Sequence, residues 1–483
     1  MIFATGPIPQ TRSHGPAVPV TPRTCVLLAL GQSNMVDQSP ADGTPWPATV
    51  QAMDTQTLAY AHPGTGPLTW LENNPGSSAD WQSGPGQQVK TFARHWCAAH
   101  PHDTLIVVPC ARGGTGFLDG AWPATGAGRL YNETIRLLDQ VFADHPGAEF
   151  TAVLIQNGER DGNMGNVLFQ FDLMRLIAGL RTRYTTPDLP VIVGEPGPTP
   201  AFTANDTPAH DLIRAHIRRS PDTAAHLAVA SAVDPEGFET LQSVGDGLHF
   251  DHAAQKALGM MDHRALWQAR LRNRQTLPDV ALVWQSHDGG NWDAMEFVCD
   301  GVEAGDTLVV LTAANLASAA PLPTAMAIEG EALTLHLTQS VTQDRLLGLA
   351  VGSVTLAATP ATDLLTLTAS WTIAPAGGAL SIWRVRGGLA LDAPRIDWAA
   401  DQSGAPLAAS PATSGPVAMM AYAVNGAGEV SFTGDGTALV RGAGGRPSTY
   451  FATHLIGTPS GPVSMTPSTA SDKVCGMIAV TLG

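Results

Sequence analysis

Thr24-Cys25-Val26-Leu27-Leu28-Ala29-Leu30 runs directly into Gly31-Gln32-Ser33-Asn34-Met35. A short, unbroken apolar run predicts a strand buried on both faces, as in a parallel sheet covered by helices. A Ser just past the end of such a strand stands on the rim where α/β enzymes place their ligands. If a helix begins there, the Ser33 N–H points outward and can hold an oxyanion. The plainer reading of Ser33 is a helix cap.

On the C-terminal side, strand-like and helical patterns alternate as far as residue 272. Strands are expected at Thr24–Leu30, Thr104–Cys110, Phe150–Gln156, Pro190–Gly194 and His226–Ser231. Helices are expected at Gln87–Ala99, Arg129–Ala143, Val167–Arg183, Asp211–Arg219 and Ala253–Arg272. In the third of these, Phe169, Leu173, Leu176 and Leu180 share one face. The alternation predicts a doubly wound α/β layer structure. Beyond about residue 278 helical periodicity stops. Short alternating strands recur at Thr307–Thr312, Leu333–Leu337, Leu346–Leu356, Leu364–Ile373, Leu380–Val385, Val417–Val424, Glu429–Phe432, Thr449–Leu455 and Met477–Leu482. Gly, Pro, Asp and Ser punctuate them, which predicts an all-β sandwich, or two smaller ones. The expected division is an N-terminal extension (1–23), an α/β domain (24–275) and a β-sandwich domain for binding or assembly (276–483).

Composition narrows the function. The 483 residues include 42 acidic and 26 basic, a formal net charge of −16. An acidic chain lacks the basic face that nucleic acid or an anionic membrane demands, so a neutral partner such as a sugar polymer fits better. The apolar fraction of 44% is that of a folded chain. No apolar stretch is long enough to span a membrane, and residues 1–24 lack a signal-peptide core. Cys25, Cys97, Cys110, Cys299 and Cys475 lack the paired spacing of a zinc or redox site and are expected as small buried hydrophobes.

Three further runs carry polar chemistry. Gly245-Asp246-Gly247-Leu248-His249-Phe250-Asp251-His252 closes the α/β half. A serine nucleophile needs a base, and a carboxylate to fix that base's tautomer. Asp246 and His249, three residues apart, let one loop supply both. The rival readings are a metal site from Asp246, His249, Asp251 and His252, and a solvated loop capping the last helix. Arg112-Gly113-Gly114-Thr115 follows the strand ending at Cys110, and its glycines let backbone N–H groups approach a ligand. It lacks the Gly-Lys-Ser/Thr ending of a nucleotide loop. Asn157-Gly158-Glu159-Arg160-Asp161 follows the strand ending at Gln156, and an Asn there can complete an oxyanion hole.

Taken in order, these runs resemble the motifs of the SGNH (GDSL-like) hydrolases, within them the sialate O-acetylesterase and acetylxylan esterase type. Gly31–Met35 matches fully, Gly113-Gly114-Thr115 matches the second block, and Asp246 with His249 matches the last. The third block departs, with Asn157 where that group usually has Gln and Arg160 where it has Ser. The resemblance covers about residues 24–272. It implies a flavodoxin-like hydrolase domain, Ser33 as nucleophile, His249 as base and then acid, and Asp246 as its orienter. The oxyanion hole would be the Ser33 and Gly113 N–H groups with the Asn157 side chain. Gln32, Glu159 and Asp161 would brace the site, and Arg112 is a candidate substrate contact. Asp251 and His252 offer an alternative pair. No metal or organic cofactor is implied.

The resulting expectation is a serine esterase that removes O-acetyl groups from carbohydrate. Trp46, Trp70, Trp81 and Trp122 are candidate sugar platforms. The β half resembles appended modules of phage-like particle proteins. That implies a spike or fibre on a virion or particle released by lysis, otherwise a cytoplasmic enzyme. It would be a homo-oligomer, with a bacterial surface polysaccharide as target and other particle proteins as partners. The alternative is an adhesin with an esterase fold and little or no turnover.

Overall fold

The structure is a computed structural model. It describes residues 21–36, 46–54, 59–61, 86–124, 128–166, 168–198, 200–232, 241–287, 293–316, 320–342, 346–386, 407–409, 417–424, 430–433, 436–443, 449–456, 463–467 and 474–481. Trp70, Trp81 and nearly all of the expected N-terminal extension lie outside the described residues.

The first half runs β1 (Thr24–Gly31), α1 (Ser33–Val36), β2 (Val50–Asp54), β3 (Ala59–Ala61), α2 (Gln87–Ala99), β4 (Thr104–Ala111), α3 (Arg129–Asp144) and β5 (Glu149–Gln156). It continues with α4 (Glu159–Met164), α5 (Phe169–Arg183), β6 (Val191–Gly194), α6 (Pro208–Thr223), β7 (Leu227–Ala230) and α7 (His252–Leu271). The sheet order is β3-β2-β4-β1-β5-β6-β7. All neighbours are parallel except the β2–β3 pair. This is a doubly wound sheet in which the order reverses at β1, flanked by β4 and β5. Such a reversal opens a crevice at the strands' carboxyl ends.

β1 shows why the run had to be apolar throughout. Cys25, Leu27 and Ala29 join one core with Phe92, Trp96 and Leu258 of α2 and α7. Val26, Leu28 and Leu30 join the other with Leu137, Leu138, Leu173 and Leu176 of α3 and α5. Alternate side chains thus serve opposite helical layers.

Several elements differ from expectation. β2 and β3 were not expected: both are short, and neither carries a β-branched apolar run. α4 was not expected either: Gly162 and Asn163 are poor helix formers. α6 is longer at both ends than Asp211–Arg219, with Thr207 capping it by accepting from His210 N–H.

The second half consists of antiparallel strands. They are β8 (Val280–His287), β9 (Ala294–Val298), β10 (Thr307–Leu316), β11 (Pro323–Ile328), β12 (Glu331–Ala332), β13 (Thr334–Thr342), β14 (Leu346–Thr355), β15 (Leu364–Trp371) and β16 (Gly377–Val385). Then come β17 (Leu407–Ala409), β18 (Val417–Val424), β19 (Val430–Thr433), β20 (Gly436–Ala443), β21 (Thr449–Ile456), β22 (Val463–Pro467) and β23 (Val474–Thr481). The sheet β13-β14-β10-β16-β8 packs on β12-β11-β15-β9 through Phe297, Val310, Leu365 and Ile382. Its other face contributes Val309, Leu311 and Trp383 to a core shared with Ala418, Ile478 and Val480 of the sheet β20-β21-β18-β23. A sheet covered on both faces explains why every residue of β16 is buried. β17, β22 and β19 form a further small sheet.

Candidate active site

Three strand ends meet at one level of the sheet. Gly31 of β1 is in register with Ala111 of β4 and with Gln156 of β5. The runs that begin at Gln32, Arg112 and Asn157 therefore leave the sheet side by side. Gly31 has φ +146°, and a Cβ there would collide with the Gln156 carbonyl. Only glycine permits the turn that sends the chain from β1 straight into α1. The Gln32 N–H donates to that same carbonyl at 3.1 Å, and Arg112 N–H donates to Gly31 O at 2.9 Å.

Ser33 opens α1 and is half-buried. His249 Nε2 lies 2.9 Å from Ser33 Oγ, and His249 Nδ1 lies 2.5 Å from Asp246 Oδ2. The loop bearing the last two is a tight reversal. Ser243 bridges Phe250, Val244 N–H donates to His249 O, and Gly245 and Gly247 at the tip have φ +102° and +71°. Asp246 Oδ1 accepts from Leu248 N–H at 2.8 Å and His249 N–H at 2.9 Å, an Asx-type turn that locks the spacing. Burial pushes the Asp246 carboxyl up. The hydrogen bonds from the His249 backbone and ring and from Leu248 outweigh this and hold it below its ordinary value.

Asn34 ties the site together through its side chain, a part the sequence did not announce. Its side chain donates to Glu159 Oε1 at 2.6 Å and to Leu248 O at 3.3 Å, and accepts from Phe250 N–H at 3.0 Å. One amide therefore pins the chain on both sides of His249. Gln255 of α7 in turn donates to Asn34 O at 2.8 Å. The signal was present in the motif, but every partner lies more than a hundred residues away.

Glu159 is buried between the Gln32 and Asn34 amides, both of which donate to it. Its backbone carbonyl accepts from His210 Nε2 at 3.1 Å. Burial raises the Glu159 carboxyl despite the Asn34 hydrogen bond. Asp161, also buried, accepts from Phe117 N–H, Leu118 N–H and Asn166 Nδ2. It thereby shapes the loop that carries Gly113, and Gly116 is glycine because a Cβ would meet the Asp161 carboxylate. Asn157 is 2% exposed, and its Oδ1 accepts from Gly158 N–H at 2.9 Å, which fixes the amide's orientation.

Some expectations fail. Trp46 and Trp122 are 5% and 1% exposed, so neither is a sugar platform. Trp122 lies beneath the glycine loop and donates from Nε1 to Thr115 Oγ1 at 3.0 Å. Asp251 does not pair with His252. It caps α7 by accepting from Ala254 N–H at 2.8 Å, and His252 is that helix's first residue. Among the described residues no three His, Cys, Asp or Glu side chains converge as a metal requires, so the four-ligand reading of this loop fails. Cys25, Cys97, Cys110 and Cys299 are buried free thiols, as expected.

The chain is a carbohydrate esterase. The family model described as carbohydrate esterase, sialic acid-specific acetylesterase, matches residues 23–268, and the chain belongs to that family. It is accordingly a carbohydrate O-acetylesterase. Solved structures similar to it include a protein from Arabidopsis thaliana at 19% identity, covering 51% of this chain and 99% of that one with a TM-score of 0.40. A structure titled NanS is 15% identical, covering 52% and 98% with a TM-score of 0.38. A carbohydrate acetylesterase from Xanthomonas citri is 14% identical, covering 72% and 80% with a TM-score of 0.34. No curated protein matches the chain.

Proposed function

We propose that the chain deacetylates O-acetylated polysaccharide of a bacterial surface through an acetyl-enzyme on Ser33. The observation that carries this reading is the continuous path from Ser33 Oγ through the His249 ring to Asp246, with contacts of 2.9 and 2.5 Å. His249 Nε2 takes the Ser33 proton as Oγ attacks the acetyl carbonyl carbon. The Ser33 N–H, the Gly113 N–H and the Asn157 side-chain amide donate to the oxyanion. As the tetrahedral intermediate collapses, the C–O bond to the sugar breaks and His249 returns the proton to the departing sugar oxygen. Water, deprotonated by the same imidazole, then releases acetate and restores Ser33. Asp246 accepts from Nδ1–H throughout and stabilises the transient imidazolium. Gln32, Glu159 and Asp161 hold the strand ends in place, and Arg112 flanks the oxyanion loop where a substrate passes.

Acetate release from an O-acetylated capsule polysaccharide tests the reading. Wild type releases acetate, and Ser33→Ala releases essentially none. Equal rates would reject Ser33 as nucleophile.

The same proposal assigns catalysis to residues 24–275, preceded by an extension (1–23). Residues 276–483 act in binding or assembly on a phage-like particle, in a homo-oligomer contacting other particle proteins. Support comes from the charge of the second half, 17 acidic against 7 basic residues, and from its antiparallel sheets. Mass spectrometry of sedimented particles from lysed producer cells is expected to find the chain. Its confinement to the soluble fraction would remove the particle role.

A further inference from the structure

Three arginines are buried where the α/β half meets the first strands of the β half, and of these Arg181 is paired with a carboxylate. Arg181 pairs with Asp300 at 2.9 Å and donates to Leu189 O and Ala225 O. Arg384 donates from its two terminal nitrogens to Asp300 O at 2.8 Å and Asp222 O at 3.2 Å, and its Nε is left without a partner among the described residues. Arg219 of α6 differs. It is 6% exposed, and its one hydrogen-bond partner among the described residues is the neutral Gln170 side chain of α5, which accepts from Nη2. Its Nε and Nη1 are buried with no hydrogen-bond partner among the described residues. The acidic side chain that acts on it, Asp222, hydrogen-bonds to Arg272 instead and is 51% exposed. Burial accordingly lowers Arg219 to about 9.

An unmatched guanidinium in a buried setting is among the costliest arrangements a fold can hold. Buried polar groups elsewhere in proteins are satisfied by protein, water or ions. Water would satisfy the N–H groups but not the charge; a small anion does both. We propose that the unpartnered Nε and Nη1 of Arg219 form a binding site for a small inorganic anion of the chloride or phosphate kind. Gln170 Nε2 donates to Thr223 Oγ1 at 3.3 Å and Thr223 donates to Ser220 O at 2.9 Å, which holds the Gln170 amide with its oxygen toward Arg219 and leaves the Arg219 N–H groups to the anion. The site is separate from the Ser33 rim. The anion would neutralise the outer end of α6, the helix that packs on β8 and β20.

The test is the melting temperature of the full chain in sodium gluconate, chloride and phosphate at fixed ionic strength. A bound anion raises it by about 2–4 °C over gluconate, and the salt that does so identifies the ligand. Gln170→Glu places a carboxylate where the amide oxygen already touches Arg219. It is expected to abolish the response while melting in gluconate at or above the wild type. Arg219→Met removes the charge and also loses the response. Equal wild-type melting in all three salts, or a response that survives both substitutions, would overturn the site.

Discussion

Asn34 donates to Glu159 and to Leu248 O and accepts from Phe250 N–H, so a single amide sets where the His249 ring stands relative to Ser33. Its substitution should act on turnover rather than on substrate capture. Asn34→Ala is expected to lower kcat by about 10^2, the scale of a misplaced catalytic group, with KM little changed. Steady-state kinetics on an acetate ester check this, and an unchanged kcat would remove Asn34 from the positioning role. Asp246→Asn keeps the Asx turn but allows the wrong His249 tautomer, so kcat is expected to fall on the order of 10^4-fold. The residues proposed to carry the chemistry could be named from the sequence because they sit in short local motifs: Ser33 after β1, and Asp246 with His249 on one loop. Asn34, Gln255 and His210 were not, because their partners belong to elements distant in sequence. The tryptophans show the reverse error. Trp122 reads as a loop aromatic, yet burial under Thr115 is a property of the fold and not of its neighbours.

At the scale of elements, α2 and α7 pack so closely that a Cβ at Gly259 would meet Gln88 O. Gln88 Nε2 donates to Asp262 Oδ2 at 2.8 Å in this interface. Burial pushes the Asp262 carboxyl up to about 7. The folded chain therefore holds a proton there that the unfolded chain releases near its ordinary value of 3.8. Because the folded state binds the extra proton, stability contributed at Asp262 is full below the unfolded value. It is lost as pH rises toward about 7. Asp262→Asn is expected to match wild type near pH 4 and to melt several degrees higher at pH 8. A gap independent of pH, measured by thermal unfolding across that range, would contradict the assignment. Most elements of this half were legible because continuous apolar strands and amphipathic helices alternate. The start of α2 at Gln87 and its end at Ala99 were read directly. β2, β3 and α4 escaped because their form is imposed by neighbours. β2 exists by pairing with β4, and α4 is held by Asp161 and by the His210 contact to Glu159 O.

At the scale of the molecule, the two halves are joined by buried charge as well as apolar contact. Arg181 and Asp300 are buried together, and Arg274 approaches both Asp300 and Asp363. Val298 of β9 enters the core that α3 and α5 build on the parallel sheet. Breaking a buried pair from one side strands the other charge, at a cost of about 3–5 kcal/mol. Asp300→Ala is therefore expected to lower the melting temperature of the whole chain, not of one half alone. Calorimetry resolving a separate, unshifted transition for the α/β half would contradict that. The change of texture near residue 278 was visible in the chain, but the seam itself was not. Arg181 reads as an ordinary charge near a helix end until the fold buries it against Asp300, in the turn that follows β9.

The central claim is that O-acetyl carbohydrate is cleaved through an acetyl-enzyme on Ser33. Rapid quenching of enzyme and O-acetylated substrate, followed by peptide mass spectrometry, measures it directly. The account predicts one acetyl group on the peptide containing Ser33, absent in Ser33→Ala and accumulating when His249 is replaced only to the extent that acylation still occurs. Full-rate acetate release with Ser33 unmodified and dispensable would contradict it.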